Sequence, residues 1–177
     1  QTLFSDFETY YQLLYNLIKD KPVITGIDLD VEELVKLEDI KMLIKRIRSD
    51  FGINFCISMA PIAYSLENDA PGMGGFNYKD LYHSPEGAQI DYFNVQCYGS
   101  YSKEVYDDII HNGYPPSKII IGMIYGQDIN NIIVELDKIK SAYPGFLGVF
   151  MWEYFQAPPG APEHPEVWGQ IMKKILS

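Results

Sequence analysis

The side chains with the clearest capacity for chemistry are Asp28, Asp30 and Glu32, in the run Ile24-Thr25-Gly26-Ile27-Asp28-Leu29-Asp30-Val31-Glu32. On an extended strand, side chains alternate between faces with a period of two. The three acids therefore share one face, and Ile27, Leu29 and Val31 share the other. Neighbouring like charges repel unless a proton or a cation sits among them. Such a row either binds a cation or holds one carboxyl protonated for acid catalysis.

Three further strand ends carry polar or aromatic groups in register with this pattern. In Asn94-Val95-Gln96-Cys97-Tyr98, alternation places Asn94, Gln96 and Tyr98 on one face. In Ser58-Met59-Ala60-Pro61, the small residues Ser58 and Ala60 share a face and leave room for a ligand. In Phe150-Met151-Trp152-Glu153, Trp152 ends an apolar strand where its indole could floor a pocket, while Glu153 points the other way.

The elements that position these groups follow in chain order. Ser5 and Glu8 have capping-box spacing and predict a helix running to about Asp20, where Pro22 stops it. The acid-bearing strand is expected from about Val23 to Glu32. A helix from about Leu34 to Asp50 uses Leu37, Ile40, Ile44 and Ile47 as its apolar stripe and ends at Gly52. A strand from Asn54 to Pro61 leads into an irregular stretch to Gln89, with a short helix near Tyr78 to Tyr82. Strands follow at Ile90 to Tyr98, Lys118 to Tyr125 and Phe146 to Tyr154, with helices at Lys103 to His111, Ile129 to Ala142 and from Pro165 onward. The continuous run Ile119-Ile120-Ile121 fits a strand covered on both faces. Five strands alternating with helices predict a parallel α/β sheet, in which ligands gather at the carboxyl ends of the strands.

Composition narrows the function classes. The chain has 177 residues, 47% of them apolar, and a formal net charge of −10. No basic cluster stands out, which argues against nucleic acid as a partner. No run of about 18 apolar residues occurs, so no membrane-spanning helix is expected. Cys56 and Cys97 lie inside apolar strand-like runs and read as unpaired thiols. His83, His111 and His164 lack ligand spacing, so no zinc site is expected. The cluster Pro71-Gly72-Met73-Gly74-Gly75 lacks the Lys-Ser/Thr ending of a phosphate loop and reads as a surface loop over an active site.

These residues resemble a known family. Thr25 to Glu32 is similar to the fourth-strand signature of glycoside hydrolase family 18, the chitinases and endo-β-N-acetylglucosaminidases. Ser58 to Pro61 resembles the fifth-strand motif, Asp91 to Tyr98 the sixth and Trp152 the eighth. The sixth-strand wording is nearest to the small, hevamine-like chitinases. The family usually has an Asp where this chain has Thr25, which leaves the Asp-x-Asp-x-Glu core intact. The resemblance implies an α/β fold of the (β/α)8 barrel type, about 250 residues in full. Residues 1–177 would then be the C-terminal part of one catalytic barrel, strands four to eight. Five strands alone would leave two unpaired sheet edges. The expectation is three β/α units upstream; a short protein that closes against a second copy is the alternative.

The resemblance also implies a reaction: retaining hydrolysis of β-1,4 bonds at N-acetylglucosamine in oligo- or polysaccharides, assisted by the substrate's own acetamido group. Glu32 would be the general acid and base, and Asp30 would bond the acetamido N–H. Asp28 would share a proton with Asp30, Tyr98 would donate to the acetamido oxygen, and Gln96, Trp152 and Ala60 would line the substrate site. No metal and no cofactor are implied, and secretion is typical of the family. Alternatives remain open: an endo-β-N-acetylglucosaminidase acting on N-glycans, a non-catalytic carbohydrate-binding relative, or a Mg²⁺ site at the Asp-x-Asp pair. The last lacks phosphate-binding partners. Tyr64, Tyr101 and Tyr154 read as loop tyrosines that could stack further sugars.

Overall fold

A computed structural model describes residues 2–177. Its centre is a five-stranded, wholly parallel sheet in sequence order β1 to β5, with β1 at Gly26–Leu29, β2 at Cys56–Met59, β3 at Tyr92–Gln96, β4 at Ile119–Ile124 and β5 at Gly148–Trp152. Every neighbouring pair is joined by a crossover containing a helix, as parallel pairing requires. The helices are α1 (Thr2–Ser5), α2 (Phe7–Asp20), α3 (Leu37–Phe51), α4 (Ala63–Glu67), α5 (Tyr78–Tyr82), α6 (Lys103–His111), α7 (Ile129–Ala142) and α8 (Glu166–Leu176). This is the partial α/β barrel expected from the sequence.

The helices bury one face of the three central strands completely and that of the edge strands in part. Ile57 and Met59 on β2, Phe93 and Val95 on β3, and Ile121 and Met123 on β4 have no exposed surface. They meet the apolar stripes of the helices: Ile40, Leu43, Ile44 and Ile47 of α3, Tyr106 and Ile109 of α6, and Ile132, Leu136 and Ile139 of α7. The opposite face carries Asp28, Ser58, Asn94, Gln96, Gly122, Phe150 and Trp152 in continuous register. It is only partly covered. Ile119 and Ile121 are buried while Ile120 between them is half-buried, so two-sided coverage of this run is not observed.

Several element boundaries differ from the sequence expectations. The first helix is interrupted: Asp6, not Ser5, caps α2, accepting from Thr9 N–H, while Ser5 Oγ donates to the Thr2 carbonyl. Helix α3 starts at Leu37 rather than Leu34, and Gly52 closes it with φ +80°, a backbone conformation that favours glycine. All five strands are shorter than their apolar runs, because a strand ends where its neighbour stops pairing. Helix α4 lies inside the stretch expected to be irregular.

The amino ends of β2 and β3 are locked by Arg48. Its guanidinium donates to the carbonyls of Gly52, Ile53, Phe55 and Gln89 and pairs with Asp91. Asp91 also accepts from Ile57 N–H at 2.7 Å. This end of the sheet is thereby occupied by structural hydrogen bonds. Apolar surface persists on α2, where Leu13 and Leu17 are 63% and 53% exposed. Cys97 is buried and Cys56 half-buried, both as free thiols.

Candidate active site

Strand β1 ends at Leu29, so Asp28 is on the strand while Asp30 and Glu32 follow it outside the sheet. The alternation nevertheless persists: Asp28, Asp30 and Glu32 are exposed, Leu29 is buried, and Ile27 and Val31 are half-buried. The three acids border an open cavity of about 500 Å³ at the free edge of β1. Its other walls are largely apolar, among them Leu3, Phe4, Leu29, Val35 and Leu43; Gln96, Tyr98 and Trp152 do not line it.

Asp28 is held from β2, which neighbours β1, and Asp30 from β3, one strand further on. Ser58 Oγ donates to Asp28 Oδ1 at 2.6 Å, across the register pairing β1 with β2. Gln96 Nε2 donates to Asp30 Oδ1 at 3.2 Å and to the Ala60 carbonyl at 2.8 Å. The room expected beside Ser58 and Ala60 is thus filled. Both are buried, at 3% and 8% exposure, with Ser58 serving as a donor to Asp28 and Ala60 as an anchor for Gln96.

The electrostatics follow from this crowding. Burial, then the charges of Glu32 and Asp28, raise the pKa of Asp30 above the ordinary carboxylate value, against the opposing hydrogen bond from Gln96. The Tyr98 phenol is pushed up to about 12 by burial, with Asp30 and Glu32 adding to it. It is a neutral O–H donor near neutral pH, as an ordinary phenol is, and it feels the charge of both acids. Among the described residues, no group of three or more His, Cys, Asp or Glu is arranged to hold a metal ion, the acid row included.

Trp152 ends β5, the edge strand opposite β1, and is 57% exposed. Phe150, two residues earlier on the same face, connects it to the centre. Its ring packs edge-on against Tyr98 with centroids 6.4 Å apart and covers Gly122 on β4. The expected outer tyrosines divide. Tyr64 and Tyr154 are exposed, but Tyr101 is 4% exposed and its hydroxyl has no protein partner, so it is a core residue and not a sugar platform. Glu153 accepts from Gln156 Nε2 in the loop after β5. Sequence reasoning missed the donor role of Ser58 and the central place of Phe150. The small size of Gly122, paired with Phe150 in register, is the signal that could have found the latter.

A scan of family models and a search of curated proteins return no match. Solved structures do match. A fungal endo-β-N-acetylglucosaminidase from glycosyl hydrolase family 18 aligns over 97% of this chain and 63% of its own, at 34% identity and a TM-score of 0.90. Over nearly its whole length the chain is similar to a glycoside hydrolase family 18 enzyme. A second family 18 likeness is to the chitinase ChiC of Aspergillus fumigatus, at 30% identity and TM-score 0.81, over 97% of this chain and 65% of the other. A chitinase of Rhizomucor miehei shares the fold, with TM-score 0.67 at 12% identity over 97% and 75% of the two chains. The chain spans less than two thirds of the length of the first two structures.

Proposed function

We propose that the chain carries strands four to eight of a family 18 catalytic barrel, completed by three further β/α units. In that barrel it hydrolyses β-1,4 bonds at N-acetylglucosamine, with retention and with substrate assistance. The observation that carries this reading is the acid row itself. Asp28, Asp30 and Glu32 share one face, with the two aspartates bonded to Ser58 of β2 and Gln96 of β3. The half-covered inner face, the open edge of β1 and the exposed Leu13 and Leu17 support a completing segment, since such surface is normally buried.

Bond cleavage needs a proton delivered to the leaving oxygen and a nucleophile at the anomeric carbon. Glu32 delivers the proton. The acetamido oxygen of the sugar attacks, giving an oxazolinium ion, as substrate-assisted members of this family do. Asp30 accepts a hydrogen bond from the acetamido N–H, which steadies the group and the positive charge that develops on it. Asp28 shares a proton with Asp30, and the raised pKa of Asp30 supports a proton held between them. Tyr98 donates to the acetamido oxygen. Gln96, held by the Ala60 carbonyl, sets the position of Asp30 from below, and Trp152 supports the sugar ring by stacking. Water then opens the oxazolinium with Glu32, now ionised, as base.

The test is hydrolysis of N-acetylglucosamine oligomers by the complete protein and by its Glu32→Gln variant. Turnover is expected to fall by roughly 10²- to 10⁴-fold while oligomer binding persists. Equal rates would remove Glu32 from the role. A second reading, action on N-glycan cores, draws support from the structural likeness to an endo-β-N-acetylglucosaminidase at TM-score 0.90. Release of N-glycans from a glycoprotein without cleavage of chitin oligomers would establish it. A purely carbohydrate-binding role fits less well with a retained Glu32.

A further inference from the structure

Glu32 lies between the end of β1 and the start of α3, in residues 30–36, which belong to neither a strand nor a helix. An acid that must meet a glycosidic oxygen has to be held by something else. The contacts around it converge on the glycine-rich loop after α4. Val35 N–H donates to the Gly74 carbonyl at 2.9 Å. Gly74 lies so close to Val31 that a Cβ there would come within 2.8 Å of Val31 Cγ1. At Gly75, with φ +81°, a Cβ would lie 2.7 Å from Leu34 Cδ2. The loop therefore grips the chain on both sides of Glu32.

The loop is braced internally and at its root. Pro71 and Asn77 form an antiparallel bridge, with Gly72 N–H donating to the Phe76 carbonyl at 3.0 Å. Phe76 is buried against Tyr78, ring centroids 4.8 Å apart. At its root, Lys79 Nζ donates to Asp69 Oδ2 at 3.0 Å and to Asn112 Oδ1 at 2.7 Å. Asn112 Nδ2 in turn donates to Asp69 Oδ1 at 2.8 Å and to the Leu66 carbonyl at 2.6 Å. The loop is thus tied to the carboxyl end of α6.

We propose that the Asp69–Lys79–Asn112 clamp and the Gly72–Phe76 loop are a positioning device for Glu32, acting through Val31, Leu34 and Val35. This rests on Glu32 being the acid. None of these clamp residues touches substrate; they act on where the Glu32 backbone lies.

The test compares Lys79→Met, Lys79→Arg and Gly74→Val in the complete protein, reading kcat and KM on N-acetylglucosamine oligomers together with amide hydrogen exchange. Lys79→Met and Gly74→Val are expected to lower kcat roughly tenfold with KM nearly unchanged, since small misplacements of a reacting group are costly. In both, exchange at the Val35 amide accelerates while β2 amides stay protected. Lys79→Arg keeps a donor to Asp69 and Asn112 and restores both readouts. Unchanged kcat and unchanged Val35 exchange overturn the proposal, as does a loss of protection spread evenly over the sheet. If the wild-type protein hydrolyses neither N-acetylglucosamine oligomers nor N-glycans, Glu32 as acid fails, and Val35 exchange alone still decides whether the clamp holds this segment.

Discussion

Ser58 Oγ donates to Asp28 Oδ1 at 2.6 Å, from a residue that is 3% exposed to one directly opposite it on the neighbouring strand. The bond fixes the first acid of the row to the sheet. Ser58→Ala removes the donor and keeps the size of the site. The expected result is a stability loss of about 1 kcal/mol in urea unfolding, with reduced kcat on N-acetylglucosamine oligomers. An unaltered kcat would mean that Asp28 needs no such anchor.

Asp30 is raised above its ordinary pKa by burial and by its acidic neighbours, so the folded protein binds its proton more tightly than the unfolded chain does. Stability contributed by the protonated form is therefore present below the unfolded value, about 4. It is lost as pH rises through the folded value. Asp30→Asn removes this loss. Urea midpoints measured from pH 3.5 upward are expected to decline less in the variant than in the wild type, while hydrolysis is abolished.

Tyr98 keeps its proton, with a pKa pushed up to about 12, and lies near Asp30 and Glu32. Tyr98→Phe deletes the O–H and retains the edge-on packing against Phe150. A kcat reduction of roughly tenfold or more is expected, within the range for loss of a transition-state hydrogen bond, with thermal stability close to wild type. Equal kcat in the two proteins would exclude the hydroxyl from the reaction.

Gly122 has no room for a side chain: a Cβ would lie 2.1 Å from Phe150 Cζ. Gly122→Ala is expected to cost about 1–3 kcal/mol by overpacking. Adding Phe150→Leu should recover part of that loss, because the two changes share one contact. Denaturant unfolding of both single variants and the double variant measures the coupling.

Much of the fold is legible in the chain because it is written locally. Helix periodicity places α5, α6 and α7 at the residues where the structure has them. Gly52 marks the end of α3 through a backbone conformation that other residues resist. Strand lengths were overestimated everywhere, since an apolar run such as Asn54 to Pro61 records burial, while pairing with neighbours decides where β2 begins and ends. The Ser5 cap fails for a related reason. Ser5 and Asp6 compete for one helix start, and Asp6 is the residue whose side chain reaches an unbonded amide.

The period of two in residues 27–32 is a property of the extended chain, so the shared face of Asp28, Asp30 and Glu32 follows from order alone. Tertiary structure decided what surrounds them. Ser58 reaches Asp28 across 30 residues of sequence and Gln96 reaches Asp30 across 66, and both meetings depend on the register of parallel strands. The burial of Tyr101, the fit of Phe150 over Gly122 and the grip of Gly74 on the segment around Glu32 likewise arise only when distant segments are brought to van der Waals distance. Alternation along one strand is set by local bond geometry; contacts between strands are set by packing, which no single stretch of chain contains.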